Sequence, residues 1–417
     1  MLKFTKEVYD KVMDEPLYRN SLYVMISTLI MSAFGFVFWL VAARLFSTEQ
    51  IGLATTIISV MGLITGISVL GLNIGIIRYL PTAKDKEARN HKINTSITIV
   101  ILSTIIVASI YLMGINYFSP SLQFIQETLT LSFIFIFFTI FSALSGIVES
   151  IFIALRDTKW ILVKNTLFSS LKIGLLFLAV SFGAFGIYSS WMISLITALF
   201  IVFLALVYKF NYSFKFEIRD SIIKKMGKYS FGNYIAGFIG GLATLVLPIM
   251  ITNMMGAETT AHYYIAMMIA TLLFTIPSAT SNSLFAEGAH NPELIKKKIK
   301  KSIKIISLIL IPGILITLFF GNYILLAFGK TYSSEASTFL QILAISGIFV
   351  SINGVLGTLL RINNQLKLIL LRSILSPIIV LGLSYLFITQ GLGLLGIAYA
   401  WMIGQFVLCF VYWKKKQ

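Results

Sequence analysis

Charge is what this sequence has least of. Of its 417 residues, 12% are Asp, Glu, Lys or Arg, against about 25% in an average soluble domain. Acids are the scarcer sign, with 16 Asp and Glu in all. A soluble fold of this length needs a charged skin, and these residues cannot make one. Cysteine occurs once, as Cys409, so no intrachain disulfide can form. Histidine occurs three times, as His91, His262 and His290, none with a second ligand at metal-binding spacing. A phosphate-loop lysine motif and a Gly-x-Ser-x-Gly elbow are missing too. These absences set aside soluble enzymes, disulfide-stapled domains and metal or nucleotide hydrolases. The expectation is a protein that is not an enzyme, with no catalytic residues, no cofactor and no metal.

What is present is apolar. Hydrophobic residues make up 58% of the chain, and the mean hydropathy is +0.91. Residues 22–43, 51–77, 229–257 and 373–412 carry no charge. About 20 such residues, rising 1.5 Å each, cross a hydrocarbon core. We read twelve spans, near 21–43, 51–77, 93–115, 128–152, 160–182, 186–208, 229–252, 260–286, 303–320, 337–360, 366–388 and 392–413. The expected fold class is an all-α integral membrane protein.

The net charge of +17 has two readings. One is an acidic partner such as nucleic acid, for which Lys296, Lys297, Lys298, Lys300 and Lys301 make a dense cluster. The other is orientation, since Lys and Arg gather in cytoplasmic loops. Position decides. Of the 33 Lys and Arg, all but Arg44, Lys172 and Lys330 fall in the N-terminus, the loops after even-numbered spans, or the tail. Both termini are therefore expected in the cytoplasm of a multi-pass cell-membrane protein, and nucleic acid has nothing left to explain. Anionic lipid headgroups suit the lysine cluster better. No signal peptide is evident, and residues 5–20 read either as an amphipathic surface helix or as a plain lead-in.

The chain repeats itself. Gly183-Ala-Phe-Gly-Ile-Tyr-Ser-Ser-Trp-Met-Ile193 opens span 6, and Gly393-Leu-Leu-Gly-Ile-Ala-Tyr-Ala-Trp-Met-Ile403 opens span 12. Six positions of the eleven are identical, and Trp is too rare here for composition to explain it. Glu49 and Glu258 sit in equivalent short turns. Six spans per half is an even number, so both halves enter the membrane the same way round. The expected organisation is a cytoplasmic segment 1–20, an N-terminal lobe 21–208, a basic linker 209–228, a C-terminal lobe 229–413 and a tail 414–417. Two pseudo-symmetric six-helix lobes around a central cleft make a transporter the default.

Two stretches carry a family resemblance. Ala43-Arg-Leu-Phe-Ser-Thr-Glu-Gln-Ile-Gly-Leu-Ala54 resembles the turn between the first two spans of polysaccharide-biosynthesis membrane proteins. Leu70-Gly-Leu-Asn-Ile-Gly-Ile-Ile-Arg-Tyr-Leu-Pro81 resembles the segment that closes their second span. These are the Wzx-type lipid-linked oligosaccharide flippases of the multidrug/oligosaccharidyl-lipid/polysaccharide exporter superfamily. The resemblance implies a MATE-like exporter fold. It also implies a substrate: a glycan on polyprenyl- or dolichyl-(pyro)phosphate, turned from the cytoplasmic to the outer leaflet for surface polysaccharide or glycoconjugate synthesis. Implied partners are membrane lipids, a coupling proton or sodium ion, and polysaccharide polymerase and glycosyltransferases. A cation-coupled multidrug or small-solute exporter of the same superfamily is the alternative.

Ionisable groups inside a membrane are costly and default to function. Lys172, at the middle of span 5, is a candidate cation for phosphate or glycan; a snorkelling or structurally paired lysine is the plain alternative. Glu149 is the coupling-proton candidate, against an interfacial carboxylate paired with a basic residue. Arg44 reads as a cap or as a partner of Glu49. Arg78 and Glu287, equivalent in the repeat and opposite in charge, are candidates for a cytoplasmic gate, against two unrelated interfacial charges. Asn73, Asn233, Tyr234, Tyr263 and Asn282 are candidate cleft polar groups. The small residues Gly237, Gly240 and Gly241 form a face on span 7, as a tight helix seam or as part of a sugar path.

Overall fold

The structure is a computed structural model. It describes the backbone of residues 15–290 and 295–411, and within them every side chain but those of 225, 228–233, 286–290, 295 and 296. No strand occurs among the described residues. Twelve helices are long and apolar enough to cross a membrane. We number them α1 (Pro16–Leu45), α2 (Thr48–Ser68), α3 (Lys86–Met113), α4 (Leu129–Ala154), α5 (Lys159–Leu178), α6 (Gly183–Phe210), α7 (Asp220–Met255), α8 (Ala257–His290), α9 (Ile295–Leu326), α10 (Lys330–Ile362), α11 (Leu366–Thr389) and α12 (Gly393–Phe410).

Helix is the expected answer to an apolar surround. Each backbone N–H and C=O must find a partner within its own segment. Several helices run past the hydropathic spans. α9 starts at Ile295 rather than near 303, and α7 starts at Asp220, inside what reads as linker. Hydropathy marks where lipid begins, while hydrogen bonding carries the helix on into charged sequence.

The chain divides into two compact units, residues 1–46 with 60–235, and residues 47–59 with 236–417. In the first unit α5 packs on α1 and α6, and α4 on α3 and α6. In the second, α11 packs on α12, and α10 on α9 and α12. Three helix pairs thus recur: α3–α4, α4–α6 and α5–α6 in the first unit answer to α9–α10, α10–α12 and α11–α12 in the second. The repeated motif shows why its glycines recur. Gly183 and Gly393 have φ of 56° and 55°, a left-handed conformation that side chains resist. Gly186 and Gly396 sit one turn later, where a Cβ would lie 2.1 Å from the Ala179 carbonyl oxygen or 2.6 Å from Phe387 Cβ. Only glycine lets the helix start so close to the preceding turn.

Span 2 is not one helix. α2 ends at Ser68, and Leu70 (φ 53°) and Gly71 (φ 77°) turn the chain before a short helix, Leu72–Tyr79, resumes. A non-glycine residue in the left-handed region is strained, and hydropathy does not register it.

The turn before α2 has a clear local cause. Ser47 Oγ accepts from the Gln50 N–H at 3.2 Å, and Gln50 Oε1 accepts from the Ser47 N–H at 3.1 Å. This reciprocal capping box fixes the helix start. It also sets Gly52 where a Cβ would lie 1.7 Å from the Ala257 carbonyl oxygen, so α2 and the start of α8 touch backbone to backbone.

Candidate functional site

The buried face of α5 in the first unit carries two lysines. Lys164, Asn165, Phe168, Ser169, Lys172 and Leu176 are all buried. Spacings of three and four residues stack them on one side of the helix, facing α1, α4 and α6. Lys164 Nζ donates to Glu149 Oε1 at 2.6 Å and to Ser145 Oγ at 2.7 Å, both on α4. Asn165 Nδ2 donates to Ser27 Oγ on α1 at 2.8 Å. Ser169 Oγ is buried without a hydrogen-bond partner.

Lys172 is 2% exposed. Its ammonium lies 4.2 Å from the ring centre of Trp191 on α6, 4.7 Å from that of Phe168 and 5.0 Å from that of Phe38 on α1. The three rings hold one another edge-on: Phe38 and Phe168 each lie 5.4 Å from Trp191. No hydrogen bond or ion pair to Lys172 is present among the described residues. The negative ring faces supply what a counter-ion otherwise would, about 2 kcal/mol or more per desolvated contact.

The second unit carries a counterpart to the Lys164 clasp. Arg372, early in α11, donates through Nη2 to Asn353 Oδ1 on α10 at 2.9 Å. Asn353 Nδ2 in turn donates to the Gln405 carbonyl oxygen on α12 at 2.7 Å. Arg372 Nη1 is buried with no hydrogen-bond partner. Fifth helix reaches to fourth in one half, and eleventh to tenth in the other. Sequence reading assigns Lys164 and Arg372 to loops. α5 and α11 begin within a residue of the spans read near 160–182 and 366–388, so both cations stand a turn or more inside helices, and only the grouping of basic residues by loop puts them outside. The signal available was the position of each cation, several residues past the helix start in a repeat.

A second set of residues has no counterpart among the expected sites. Thr56 Oγ1 on α2 lies 2.5 Å from Thr252 Oγ1 on α7, which lies 2.7 Å from Thr260 Oγ1 on α8. All three hydroxyls are buried, beside the Gly52–Ala257 crossing in the same unit. At Gly240, by contrast, a Cβ would meet Ser373 Oγ at an ordinary 3.6 Å. The tight seam is at Gly52, not there. The Glu49–Glu258 equivalence marked this corner, but threonine in a helix is too common to stand out.

The other candidates fall in different places. Asn73 follows the break in span 2, and its Oδ1 is buried without a partner. The Tyr234 hydroxyl donates to the Gly66 carbonyl at 2.5 Å, in the last turn of α2, where carbonyls need donors. Tyr263 is buried in the second unit against Phe339, ring centres 5.7 Å apart. Asn282 is exposed, and Arg78 is exposed with its guanidinium over the Tyr79 ring. The side chains of Asn233 and Glu287 lie outside the described residues. Glu149, a third exposed, is the partner of Lys164 rather than of a loop residue. No group of three His, Cys, Asp or Glu placed to hold a metal occurs among the described residues.

Residues 17–285 match the family model described as polysaccharide biosynthesis protein. The chain belongs to this family. Residues 234–386 also match the MatE family model. An uncharacterised membrane protein of Methanocaldococcus jannaschii is 23% identical over 80% of this chain and 82% of its own length. A putative O-antigen transporter of Shigella flexneri is 26% identical over 40% of this chain and 43% of its own length. Among solved structures, a lipid II flippase covers 95% of this chain and 87% of its own, with a TM-score of 0.77 at 14% identity. A multidrug-resistance transporter of the MATE family covers 95% and 96%, with a TM-score of 0.74 at 17% identity. At these identities the likeness is one of fold. The protein is an all-helical membrane transporter of the multidrug/oligosaccharidyl-lipid/polysaccharide exporter superfamily, with the MATE-like fold.

Proposed function

We propose that the protein is a flippase for a lipid-linked oligosaccharide. Its substrate is a glycan on polyprenyl- or dolichyl-(pyro)phosphate, carried from the cytoplasmic to the outer leaflet by alternating access of the two repeated halves. The observation that carries this reading is the polysaccharide-biosynthesis match over residues 17–285 on a chain whose two halves share three helix pairs. The physical need is plain. Phosphate and sugar are too polar for hydrocarbon, whereas the prenyl tail can stay in it. The protein would sit in the cell membrane with both termini in the cytoplasm, since nearly all Lys and Arg lie on one side. It would serve glycosyltransferases upstream and a polymerase downstream, driven by a proton or sodium gradient. Lys172, Asn73, Asn233, Tyr234, Tyr263 and Asn282 are the residues proposed to serve the substrate, Arg78 and Glu287 the gate, and Glu149 the coupling proton.

The MatE match over residues 234–386 favours a second reading, export of cationic drugs or small solutes. That chemistry wants an acid inside a lobe. Among the described residues, the carboxylate nearest such a place, Glu149, already faces Lys164. Reconstitution tests the first reading. A polyprenyl-pyrophosphate oligosaccharide placed in the inner leaflet of proteoliposomes should become accessible to an external lectin. Accessibility equal to that in protein-free vesicles would end it.

A further inference from the structure

Between α6 and α7 the chain runs without regular secondary structure over residues 211–219, tied to the start of α3. It is tied there at several points. Asn94 Nδ2 donates to the Ser213 carbonyl at 3.1 Å, and the Glu217 N–H donates to Thr98 Oγ1 at 3.3 Å. His91 Nδ1 lies 2.7 Å from Glu217 Oε1, and the Arg89 guanidinium reaches the Phe210 carbonyl. Phe214, Phe216 and Ile218 are exposed apolar groups, and Lys215, Glu217 and Arg219 stand between them.

Beneath the strap is a cavity of about 310 Å³ within the first unit. Ile97 and Ile101 of α3, Leu144 of α4, Leu199 and Phe203 of α6, and Phe214 of the strap are among its walls. Every residue that lines it is hydrophobic. Counted at 1.5 Å per residue from Lys92, Arg156 and Lys209, the walls lie about 8 to 22 Å along their helices. That range spans the acyl chains of one leaflet, whose hydrocarbon is about 15 Å thick, half of a 30 Å core. On and beside the strap the charges are unbalanced. Lys209 pairs with Asp157, and Arg219 faces Glu217 and His91. Lys215, the chain neighbour of the lining residue Phe214, is exposed and makes no ion pair among the described residues.

We propose that this cavity is a binding site for one acyl chain of an anionic phospholipid from the leaflet on the basic side, with the lipid phosphate held by Lys215. An apolar cavity at acyl depth takes a hydrocarbon chain, and the unpaired lysine that follows Phe214 in the chain selects the charge of the head. The strap between the two halves is then a lipid-contacting element, with Phe216 and Ile218 in the interface beside the bound lipid.

The test uses the full chain in vesicles that contain phosphatidylcholine and phosphatidylglycerol, each in turn carrying a photoreactive diazirine on one acyl chain. Labelled peptides should map to α3, α4 and α6 around Ile97, Leu144 and Leu199. Phosphatidylglycerol should label about fivefold more strongly than phosphatidylcholine, the preference one lysine gives near an anionic head. Leu199→Trp fills the cavity and should abolish that labelling. Lys215→Glu, at an exposed position that folding does not need, should keep the labelled peptides and lose the preference for phosphatidylglycerol. Equal labelling by the two lipids in the wild type, or label spread over all helices, would overturn the proposal. So would displacement of the label by polyprenyl phosphate but not by unlabelled phosphatidylglycerol, which would make the cavity a substrate-tail site.

Discussion

The Lys172 ammonium sits 4.2 Å from the centre of the Trp191 ring, with two phenylalanine rings closing around it and 2% of the residue exposed. A buried ion held only by ring faces is costly to the fold. Replacing such a group by an apolar residue of similar volume is often neutral or stabilising, by about 1–4 kcal/mol. Lys172→Met should therefore fold and melt at an unchanged or higher temperature. If Lys172 serves transport, the same variant loses it while Lys172→Arg keeps part. Thermal unfolding and flipping measured on the same preparation check this; a Met variant that flips as well as wild type removes Lys172 from the mechanism.

Glu149 and Lys164 form an unequal pair. The lysine side chain is 4% exposed and the glutamate 36%. Removing the carboxylate strands a buried ammonium, whereas removing the lysine leaves a carboxylate that water can reach. Glu149→Ala should thus destabilise by about 3 kcal/mol, the lower end for breaking a buried pair. Lys164→Met should cost about 1 kcal/mol or less, the value of a pair with solvent access. The double variant should recover most of the Glu149→Ala loss. Chemical or thermal unfolding of the four proteins in detergent gives the cycle.

The threonine seam offers a lock. Thr56 and Thr252 place their hydroxyl oxygens 2.5 Å apart, and the single native cysteine is Cys409. On a Cys409→Ser background, Thr56→Cys with Thr252→Cys should crosslink on mild oxidation. If α2 parts from α7 and α8 during transport, the oxidised protein stops flipping and reductant restores it. Full activity of the crosslinked protein would show that this seam stays closed throughout the cycle. Gly52→Val, which drives a side chain onto the Ala257 carbonyl, should lower the crosslinking yield several-fold.

Acid should release the strap. Burial alone would raise the Glu217 carboxyl, but the His91 hydrogen bond and charge, with Arg219 beside them, hold it below its ordinary value. A lowered folded-state value contributes stability that is present above the unfolded carboxylate range and is lost as pH falls through the folded value. Protection from hydrogen exchange at residues 211–219, taken relative to the intrinsic rate at each pH, should be high at neutral pH and fall on acidification. Glu217→Gln should exchange faster at neutral pH and lose most of the pH dependence.

Much of the fold was legible because lipid imposes a simple rule: each crossing is a helix of about 20 apolar residues. The repeat was legible too, because Gly183 and Gly393 need a left-handed backbone and Gly186 and Gly396 need close packing. The break at Leu70 and Gly71 was not. Its residues are as apolar as their neighbours, and the turn is a matter of dihedral angles. Lys164 and Arg372 look like loop charges because they stand near span starts; their partners, Glu149 on α4 and Asn353 on α10, are set by tertiary packing. Lys172 was visible as a charge in an apolar run. That its partners are Phe38, Phe168 and Trp191 was not, because aromatic residues are everywhere in this chain and only tertiary packing selects three of them.

The most direct measurement sets the two transport readings against each other in the same proteoliposomes. A lipid-linked oligosaccharide and a fluorescent cationic drug are followed together, with proton and sodium gradients imposed in turn. The account expects the glycan lipid to reach the outer leaflet many times faster than in protein-free vesicles, with no excess movement of the drug. Drug movement without glycan flipping would contradict it.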